Sequence, residues 1–259
     1  MLHPIHDIHL ARAHGGEGGS ILRHDENLGA SAARNTGIRQ ARGRFLAFLD
    51  DDDEWMPDFL EKMTRAVLAA PPEVGVVHCG IRFVDAAGNI LRKAIPKIQG
   101  DIHSLLLRGE KPCGITGIAR KEVIVAAGLF DEELLSGQDW DLWLRVSRFC
   151  QFTVLPDVLA SVRIHSERIS ADYRRLIAGR TLMVQKYHEE FAKDPAVLCI
   201  HLKRLAKLHA LNGTWPLAWR WAAEVERISH WEYFKFLGWL LLEYPWIRIF
   251  SPEGKFKRT

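Results

Sequence analysis

Apolar and polar residues from Ser20 onward form short segments that alternate between strand-like and helix-like patterns. Ser20–Arg23 has the pattern of a short strand, and Ala30–Arg42 that of a helix, which Gly43 ends. The next segment, Phe45–Leu49, is apolar at all five positions. Such a run is typical of a strand that is buried on both faces of a parallel sheet.

The alternation continues as far as Ile164. It predicts a helix after Pro57, a strand at Val74–Cys79, a hairpin of Ile81–Val84 and Ile90–Arg92, helices at Ile102–Arg108, Lys121–Ala127 and Asp139–Phe149, and an extended segment at Phe152–Ile164. From Tyr173 onward every segment has a helical pattern. The predicted fold class is therefore α/β, a mixed and mainly parallel sheet with flanking helices, followed by a C-terminal helical region.

Composition and charge narrow the class of protein. The 259 residues are 47% hydrophobic and 26% charged, which excludes collagen-like, disordered and disulfide-scaffold proteins. The net charge of +3 is uneven, because residues 1–160 hold 18 Lys+Arg against 22 Asp+Glu (−4), whereas residues 161–259 hold 17 against 10 (+7). This asymmetry argues against nucleic-acid binding over the whole length, and favours a cation site in the acidic part.

Cysteine spacing and hydropathy bear on the compartment. The four cysteines lie 34, 37 and 49 residues apart, so they predict neither a zinc knuckle nor a redox pair. Residues 1–14 have no apolar run of signal-peptide length, and no uncharged apolar stretch of about 18 residues occurs. We therefore expect a cytoplasmic protein.

Four consecutive aspartates, Asp50 to Asp53, follow the predicted strand at Phe45–Leu49. Ligands bind at the carboxyl ends of strands in open α/β sheets, and adjacent carboxylates need a cation or protonation to stay close together. Mg²⁺ or Mn²⁺ is the ion that such oxygen ligands prefer. The alternative is a solvated acidic loop that caps the helix after Pro57. An EF-hand is excluded, because Trp55 stands where that loop requires glycine.

Three segments, in this order, make the sequence recognisable: Asn27–Ile38 (NLGASAARNTGI), Ala41–Pro57 (ARGRFLAFLDDDDEWMP) and Gly137–Arg145 (GQDWDLWLR). They closely resemble the family 2 glycosyltransferases, which have the Rossmann-like GT-A fold. The resemblance extends from about Ser20 to Ser170. It implies a leader at residues 1–19, an N-terminally truncated GT-A-like catalytic domain at 20–170 and a helical region at 171–259.

The resemblance also implies roles for individual residues. Asp50–Asp52 matches the family's Asp-x-Asp motif, which holds a divalent metal, Mn²⁺ or Mg²⁺, and the diphosphate of the donor. Asp139 matches the catalytic base, although Gln138 replaces the usual glutamate before it. The implied donor-binding residues are Arg34, Asn35, Asp50, Asp51 and Thr116, and the implied metal ligands are Asp50, Asp52 and His165.

These residue types suit the chemistry of sugar transfer. A metal neutralises the charge that builds on the departing nucleoside diphosphate, and a carboxylate accepts the proton of the incoming hydroxyl group. The alternatives are a plain helix N-cap for Asp139 and a hydrogen-bonded histidine near a strand end for His165. The implied partners are a UDP-sugar donor and a hydroxyl acceptor that is a glycan or lipid-linked.

The beginning of the chain departs from the family. Members start with an apolar strand, a helix and a second strand that seats the nucleotide, and nothing before Ser20 matches them. His3, His6, His9 and His14 precede a glycine-rich run, a composition that predicts a disordered leader. We therefore expect a truncated catalytic fold, whose strand at Phe45–Leu49 lacks sheet neighbours and whose stability is marginal.

Aromatic residues are concentrated at the other end. Six of the nine tryptophans lie in the last 45 residues, and the apolar stretch Phe234–Phe250 carries Lys235, Glu243 and Arg248. A stretch with these charges and Pro245 is unsuited to spanning a bilayer. It predicts either an interfacial helix at an anionic membrane surface, or packing against the catalytic domain or a second subunit in a homodimer.

The sequence thus favours a metal-dependent, inverting glycosyltransferase that uses a nucleotide-sugar donor in surface polysaccharide or glycan synthesis. The rival is a catalytically impaired remnant of the fold that only binds a partner or a membrane surface. A Mg²⁺-dependent phosphotransferase is a more remote alternative, because Glu54 occupies a position where that class has threonine or valine.

Overall fold

The structure is a computed structural model that describes residues 21–112, 114, 116–164 and 172–244. It divides the chain into two units, Met1–Arg168 and Ile169–Thr259. The strands of the first unit are β1 (Phe45–Ala47), β2 (Glu54–Trp55), β3 (Val74–Val84), β4 (Ile90–Ala94), β5 (Gly117–Arg120) and β6 (Gln151–Arg163). Its helices are α1 (Gly29–Gln40), α2 (Phe59–Ala69), α3 (His103–Leu107), α4 (Lys121–Ala126) and α5 (Gln138–Val146). The predicted α/β class is confirmed.

The strands of the described residues form one mixed sheet in the order β1-β5-β3-β6-β2, with β4 paired to β3. The β3–β6 pair is parallel, and the other pairs within the described part of the chain are antiparallel. The expectation of a mainly parallel sheet is therefore not met in this part. The long β3 strand is buried from Val74 to Ile81, as a strand at the centre of a sheet should be.

The strand expected at Phe45–Leu49 is shorter than predicted and is paired differently. It covers only three residues and runs antiparallel to β5, with Leu46 buried and its two neighbours half-buried. Phe48 leaves the strand and packs edge-to-face on Phe130 with 5.5 Å between ring centroids, while Leu49 is 43% exposed. No strand forms at residues 21–23. The apolar run is therefore only in part a sheet strand.

Helix α2 covers one face of the sheet with the residues that its periodicity predicts. Phe59, Met63 and Val67 are fully buried against Val77 and Ile118. The ring of Trp55 stacks on Phe59 at a centroid distance of 4.4 Å, which joins the start of α2 to β2. The helix begins at Phe59, after Asp58 at the N-cap position, rather than at Pro57.

The predicted hairpin, the helix after Gly137 and the extended segment near Pro156 all form, with differences at the ends of the last two. The hairpin of β3 and β4 is confirmed, and Gly88 supplies the positive φ (+86°) of its turn. Helix α5 buries Leu142, Trp143 and Val146 as expected, but Phe149 lies beyond its end and is 54% exposed. Strand β6 continues past Pro156, where the register with β3 skips two residues.

The second unit is helical throughout its described residues, as predicted. Its helices are α6 (Tyr173–Lys186), α7 (His188–Ala192), α8 (Pro195–Leu211), α9 (Trp215–Ile228) and α10 (His230–Leu242). Alanines of α8 and α9 allow close approach, and the aromatic side chains of Phe236 and Trp239 from α10 pack against them. No helix among the described residues has the length and hydropathy needed to cross a membrane.

Gly117, at the start of β5 in the first unit, lies close to β3, and replacing it tests the contact between these two strands. A Cβ atom there would lie 2.7 Å from the carbonyl oxygen of Val77 and 3.0 Å from Nδ1 of His78. We expect Gly117→Ala to lower the free energy of unfolding by about 1–3 kcal/mol, measured by urea denaturation. Gly238→Ala, at a helical position with nothing within 4 Å, is the control and should be neutral or stabilising. Equal effects of the two substitutions would contradict the described strand contact.

Candidate functional site

Residues from three places in the first unit meet at one edge of the sheet. Strand β1 runs antiparallel to β5 with Ala47 opposite Ile118, so the chain leaving β1 lies beside the chain entering β5. The first of these segments carries the aspartates, and the second carries Gly114 and Thr116. The N-terminal end of α5 reaches the same loop, because a Cβ atom on Gly114 would be 3.8 Å from Oδ2 of Asp139.

Three of the four aspartates form a cluster. Asp50, Asp52 and Asp53 each offer a carboxylate oxygen, and these oxygens lie within 4.8 Å of one another. All three residues are half-buried, whereas Asp51 is exposed and outside the cluster. The sequence interpretation named Asp50 and Asp52 as metal ligands, and the structure brings the Asp53 carboxylate close to them. Three hard oxygen donors at this spacing fit Mg²⁺ or Mn²⁺.

Arg34 on α1 is the counter-charge of this cluster. Its Nη2 atom donates to Oδ1 of Asp50 at 2.5 Å, and its side chain is only 15% exposed. The guanidinium also lies over the ring of Phe130, with 5.4 Å to the centroid. A charge-assisted hydrogen bond in partly buried surroundings holds the Asp50 carboxylate in one orientation.

Asn35, the next residue on α1, is directed into the protein. Its amide donates to the carbonyl oxygen of Phe130 (2.9 Å) and to Oε1 of Glu132 (2.7 Å), and it accepts the N–H of Phe130 (2.9 Å). The side chain is buried with the residue 2% exposed. In this structure the amide is thus occupied by the loop after α4, and the donor contact expected of Asn35 stays a prediction.

Asp53 ties the cluster to the end of β6. Its Oδ1 atom accepts the backbone N–H of Arg163 at 3.1 Å, and the Arg163 guanidinium donates to Glu54 at 3.2 Å. Arg163 stands two residues before His165, for which the resemblance implies a role as metal ligand. His165 lies outside the described residues, so that role stays a prediction.

Asp139 lies in the first turn of α5, two residues after the N-cap position, which Gly137 occupies with a φ of +82°. The alternative that Asp139 is a plain N-cap is therefore wrong. Asp141, in the same turn, is fully buried and pairs with Arg145 of the last turn at 2.5 Å. Arg145 also donates to the carbonyl oxygen of Ala127, which anchors α5 to the end of α4. This arrangement holds the Asp139 carboxylate beside the loop at Gly114.

The loop before β5 is held by two buried rings. Nε1 of Trp143 donates to the carbonyl oxygen of Gly114 at 2.8 Å, and Nδ1 of His78 is 2.9 Å from that of Thr116. Thr116 is itself only 7% exposed, so it lies at the inner side of the loop. The two carbonyl groups are therefore fixed by side chains from α5 and β3.

His78 was missed by the sequence interpretation, in which it is only one polar position within an apolar strand. The ring is fully buried, in edge-to-face contact with Trp143 (5.2 Å) and stacked on Phe152 (5.8 Å). Because a carbonyl oxygen only accepts, Nδ1 carries the hydrogen, and Nε2 has no hydrogen-bond partner among the residues that the structure describes. A histidine flanked by valine and cysteine in an apolar run was the available signal.

Burial lowers the pKa of His78 from 6.5 to about 4, while the Thr116 carbonyl and the charge of Asp139 act in the opposite direction. The folded protein therefore binds this proton more weakly than the unfolded chain does. Above pH 6.5 both states hold a neutral ring, and stability falls as the pH drops from about 6.5 to 4.

This difference predicts a loss of about 3 kcal/mol in unfolding free energy over that pH interval, attributable to His78. His78→Asn keeps a donor for Thr116 but removes the titration, so its unfolding free energy should fall less between pH 6.5 and 4.5. Urea denaturation at both pH values measures the difference from the parent protein. His188→Asn, at an exposed position, is the control. Parallel pH profiles for parent and His78→Asn would contradict this prediction.

Part of this chain is similar to known glycosyltransferases. Residues 6–120 match the family model described as glycosyl transferase family 2. An uncharacterized glycosyltransferase of Methanocaldococcus jannaschii is 26% identical over 147 residues, 56% of this chain and 50% of that protein. The amylovoran biosynthesis glycosyltransferase AmsE of Erwinia amylovora is 28% identical over 151 residues, 58% of this chain and 56% of that protein.

The fold of this chain is also similar to that of a solved structure. The crystal structure of S. aureus TarS 1-349 in complex with UDP-GlcNAc superposes with a TM-score of 0.50 at 19% identity, over 81% of this chain and 60% of that one. The fold expected from the sequence, GT-A-like, is confirmed.

These matches cover only part of each relative, and the family match begins earlier in this chain than the sequence interpretation expected. The chain spans about half the length of the M. jannaschii and E. amylovora relatives. The family match begins at residue 6, so the expectation that nothing before Ser20 matches the family is wrong.

Proposed function

We propose that the chain, whose residues 6–120 match glycosyl transferase family 2, transfers a sugar from a nucleotide-sugar donor to a hydroxyl acceptor with inversion at the anomeric carbon. The observation that carries this proposal is that two separate groups of carboxylates lie near one edge of the sheet. A carboxylate cluster with its arginine lies after β1, and a separate carboxylate, Asp139, adjoins the loop that enters β5 from beside that cluster.

The donor side of the proposal is the aspartate cluster. Asp50, Asp52 and Asp53 would hold Mg²⁺ or Mn²⁺, with His165 as a further ligand. A divalent ion bound there would neutralise the charge that develops on the diphosphate leaving group. Asp51, exposed beside the cluster, would contact the ribose or the diphosphate of the donor.

Arg34 and Asn35 prepare the donor side before any ligand arrives. Arg34 offsets one of the three clustered negative charges and orients Asp50. Asn35 holds the loop at Phe130, on which the Arg34 guanidinium lies. Because both side chains are already fixed, less conformational entropy is lost when the donor binds.

The acceptor side is Asp139. As the hydroxyl oxygen bonds to the anomeric carbon, the Asp139 carboxylate would take the hydroxyl proton. On the opposite face of the sugar, the bond between the anomeric carbon and the diphosphate oxygen would break. Gly114, beside the carboxylate, leaves room for the acceptor because it has no side chain. Trp143 and His78 keep the backbone of this loop, and hence Thr116, in place.

Two relatives support the choice of partners. TarS was crystallised with UDP-GlcNAc, which supports a UDP-sugar as the donor. AmsE is named for amylovoran biosynthesis, which supports an acceptor on the route to a surface polysaccharide, whether a glycan or a lipid-linked one. The proposal places the enzyme in the cytoplasm, where nucleotide sugars are made.

The donor side is tested by Asp52→Asn. Removing one of the clustered charges should weaken the metal site, so the stabilisation of the protein by Mn²⁺ plus UDP should shrink by several degrees in Tm. Differential scanning fluorimetry with Mn²⁺ alone, UDP alone and both together measures it. Glu133→Gln, an exposed carboxylate outside the site, is the matched control. An undiminished shift in Asp52→Asn would contradict a metal-dependent donor site.

The acceptor side is tested by Asp139→Asn. This amide is nearly isosteric and cannot accept the proton, so the rate of UDP release from UDP-GlcNAc or another UDP-sugar should fall by about 10²–10⁴-fold. The Mn²⁺ and UDP shift in Tm should remain, because Asp139 lies outside the aspartate cluster. If parent, Asp52→Asn and Asp139→Asn all release UDP at one background rate, the chain is the catalytically impaired alternative.

A further inference from the structure

Helix α10 of the second unit presents an apolar face to solvent. Trp231, Phe234, Leu241 and Leu242 are 68%, 61%, 74% and 72% exposed. With Gly238 they recur at helical spacing, so they share about a third of the helix circumference. Four large apolar side chains are therefore exposed on one face of the helix, and exposed apolar faces on a folded protein mark an interaction surface.

The opposite face of α10 packs in the core of the second unit. Phe236 and Trp239 are buried against alanines of α8 and α9, so the helix is held in place by that side alone. Ser229 caps the helix by accepting the N–H of Glu232. The exposed apolar face is therefore presented by a fixed helix, and the packing of the unit does not account for it.

Length and charge indicate what covers this face. Helix α10 has 13 residues, about 20 Å, which is shorter than the hydrocarbon core of a bilayer. Lys235 lies at the edge of the face, where it pairs with Glu232, and a second lysine, Lys203, pairs with the same carboxylate. These two lysines against one glutamate leave an excess of positive charge beside the apolar face.

The sequence after the helix adds further positive charge. Residues 245–259 contain Arg248, Lys255, Lys257 and Arg258 against a single glutamate, and residues 161–259 as a whole carry +7. A basic region that follows an apolar helix face complements a negatively charged lipid surface, because each Lys or Arg near the surface is attracted to anionic headgroups.

We propose that the face formed by Trp231, Phe234, Leu241 and Leu242 inserts into the interfacial layer of an anionic membrane, with α10 parallel to the membrane plane. The aromatic side chains occupy the boundary between headgroups and acyl chains, and the basic residues contact anionic headgroups. This surface goes beyond sugar transfer, since it needs neither the aspartate cluster nor Asp139.

Flotation of the full chain with vesicles tests the proposal. Vesicles of phosphatidylcholine with 30% phosphatidylglycerol should carry the protein, and pure phosphatidylcholine vesicles should carry clearly less, as should both at 1 M salt, where screening is strong. Trp231→Ser/Phe234→Ser should reduce the fraction that floats by about tenfold or more, because interfacial binding scales with buried apolar area.

The matched control removes exposed apolar side chains elsewhere. Leu68→Ser/Phe149→Ser replaces residues that are 57% and 54% exposed in the first unit and should leave flotation unchanged. Lys255→Gln/Lys257→Gln/Arg258→Gln should lower binding to anionic vesicles alone. Circular dichroism of each variant shows whether the helices persist, and Mn²⁺ with UDP reports on the first unit independently.

Three results would overturn the proposal. The parent protein does not float with anionic vesicles; the Trp231→Ser/Phe234→Ser variant floats as the parent does; or light scattering shows a dimer that this variant converts to a monomer while vesicle binding is absent. The last result would assign the face to a second copy of the chain.

Discussion

Asp50, Asp52 and Asp53 carry three negative charges whose oxygens lie within 4.8 Å, and each close pair repels by about 1–4 kcal/mol at effective dielectrics between 80 and 20. The neighbouring structure offsets this repulsion from two sides. Arg34 donates to Asp50 from α1, and the backbone N–H of Arg163 donates to Asp53 from the end of β6. The aspartate cluster therefore joins α1, the end of β1 and the end of β6, and a divalent cation would remove the repulsion that remains.

The second carboxylate is placed by different means. Asp139 is held where α5 is locked by the buried Asp141–Arg145 pair, and the loop facing it is held by hydrogen bonds from Trp143 and His78 to backbone carbonyl groups. Buried polar groups of this kind are costly unless they are paired, so each is a strong constraint on geometry. Charge compensation thus positions the donor side of the proposed site, and buried hydrogen bonds position the acceptor side.

Periodicity and motif spacing predicted most of the elements, because α2, the β3–β4 hairpin and the helices after Tyr173 have one clear apolar face or a turn with glycine. The pairing of β1 was not predictable, since Phe45–Leu49 has the same apolar run whether its neighbour is parallel or antiparallel. Nor was the departure of Phe48, which depends on Phe130, 82 residues further along the chain. Long-range partners of this kind leave no local pattern.

The same limit applies to the residues of the site. The aspartates and Asp139 were predictable because their motifs are local, whereas Asp53 joins the cluster through its contact with Arg163, 110 residues away. Asn35 shows the converse: its motif implied a donor contact, but its amide binds Phe130 and Glu132. A motif reports which residues accompany the chemistry. The buried Asn35 amide has both donors and its acceptor engaged, and these tertiary hydrogen bonds are not encoded in the motif.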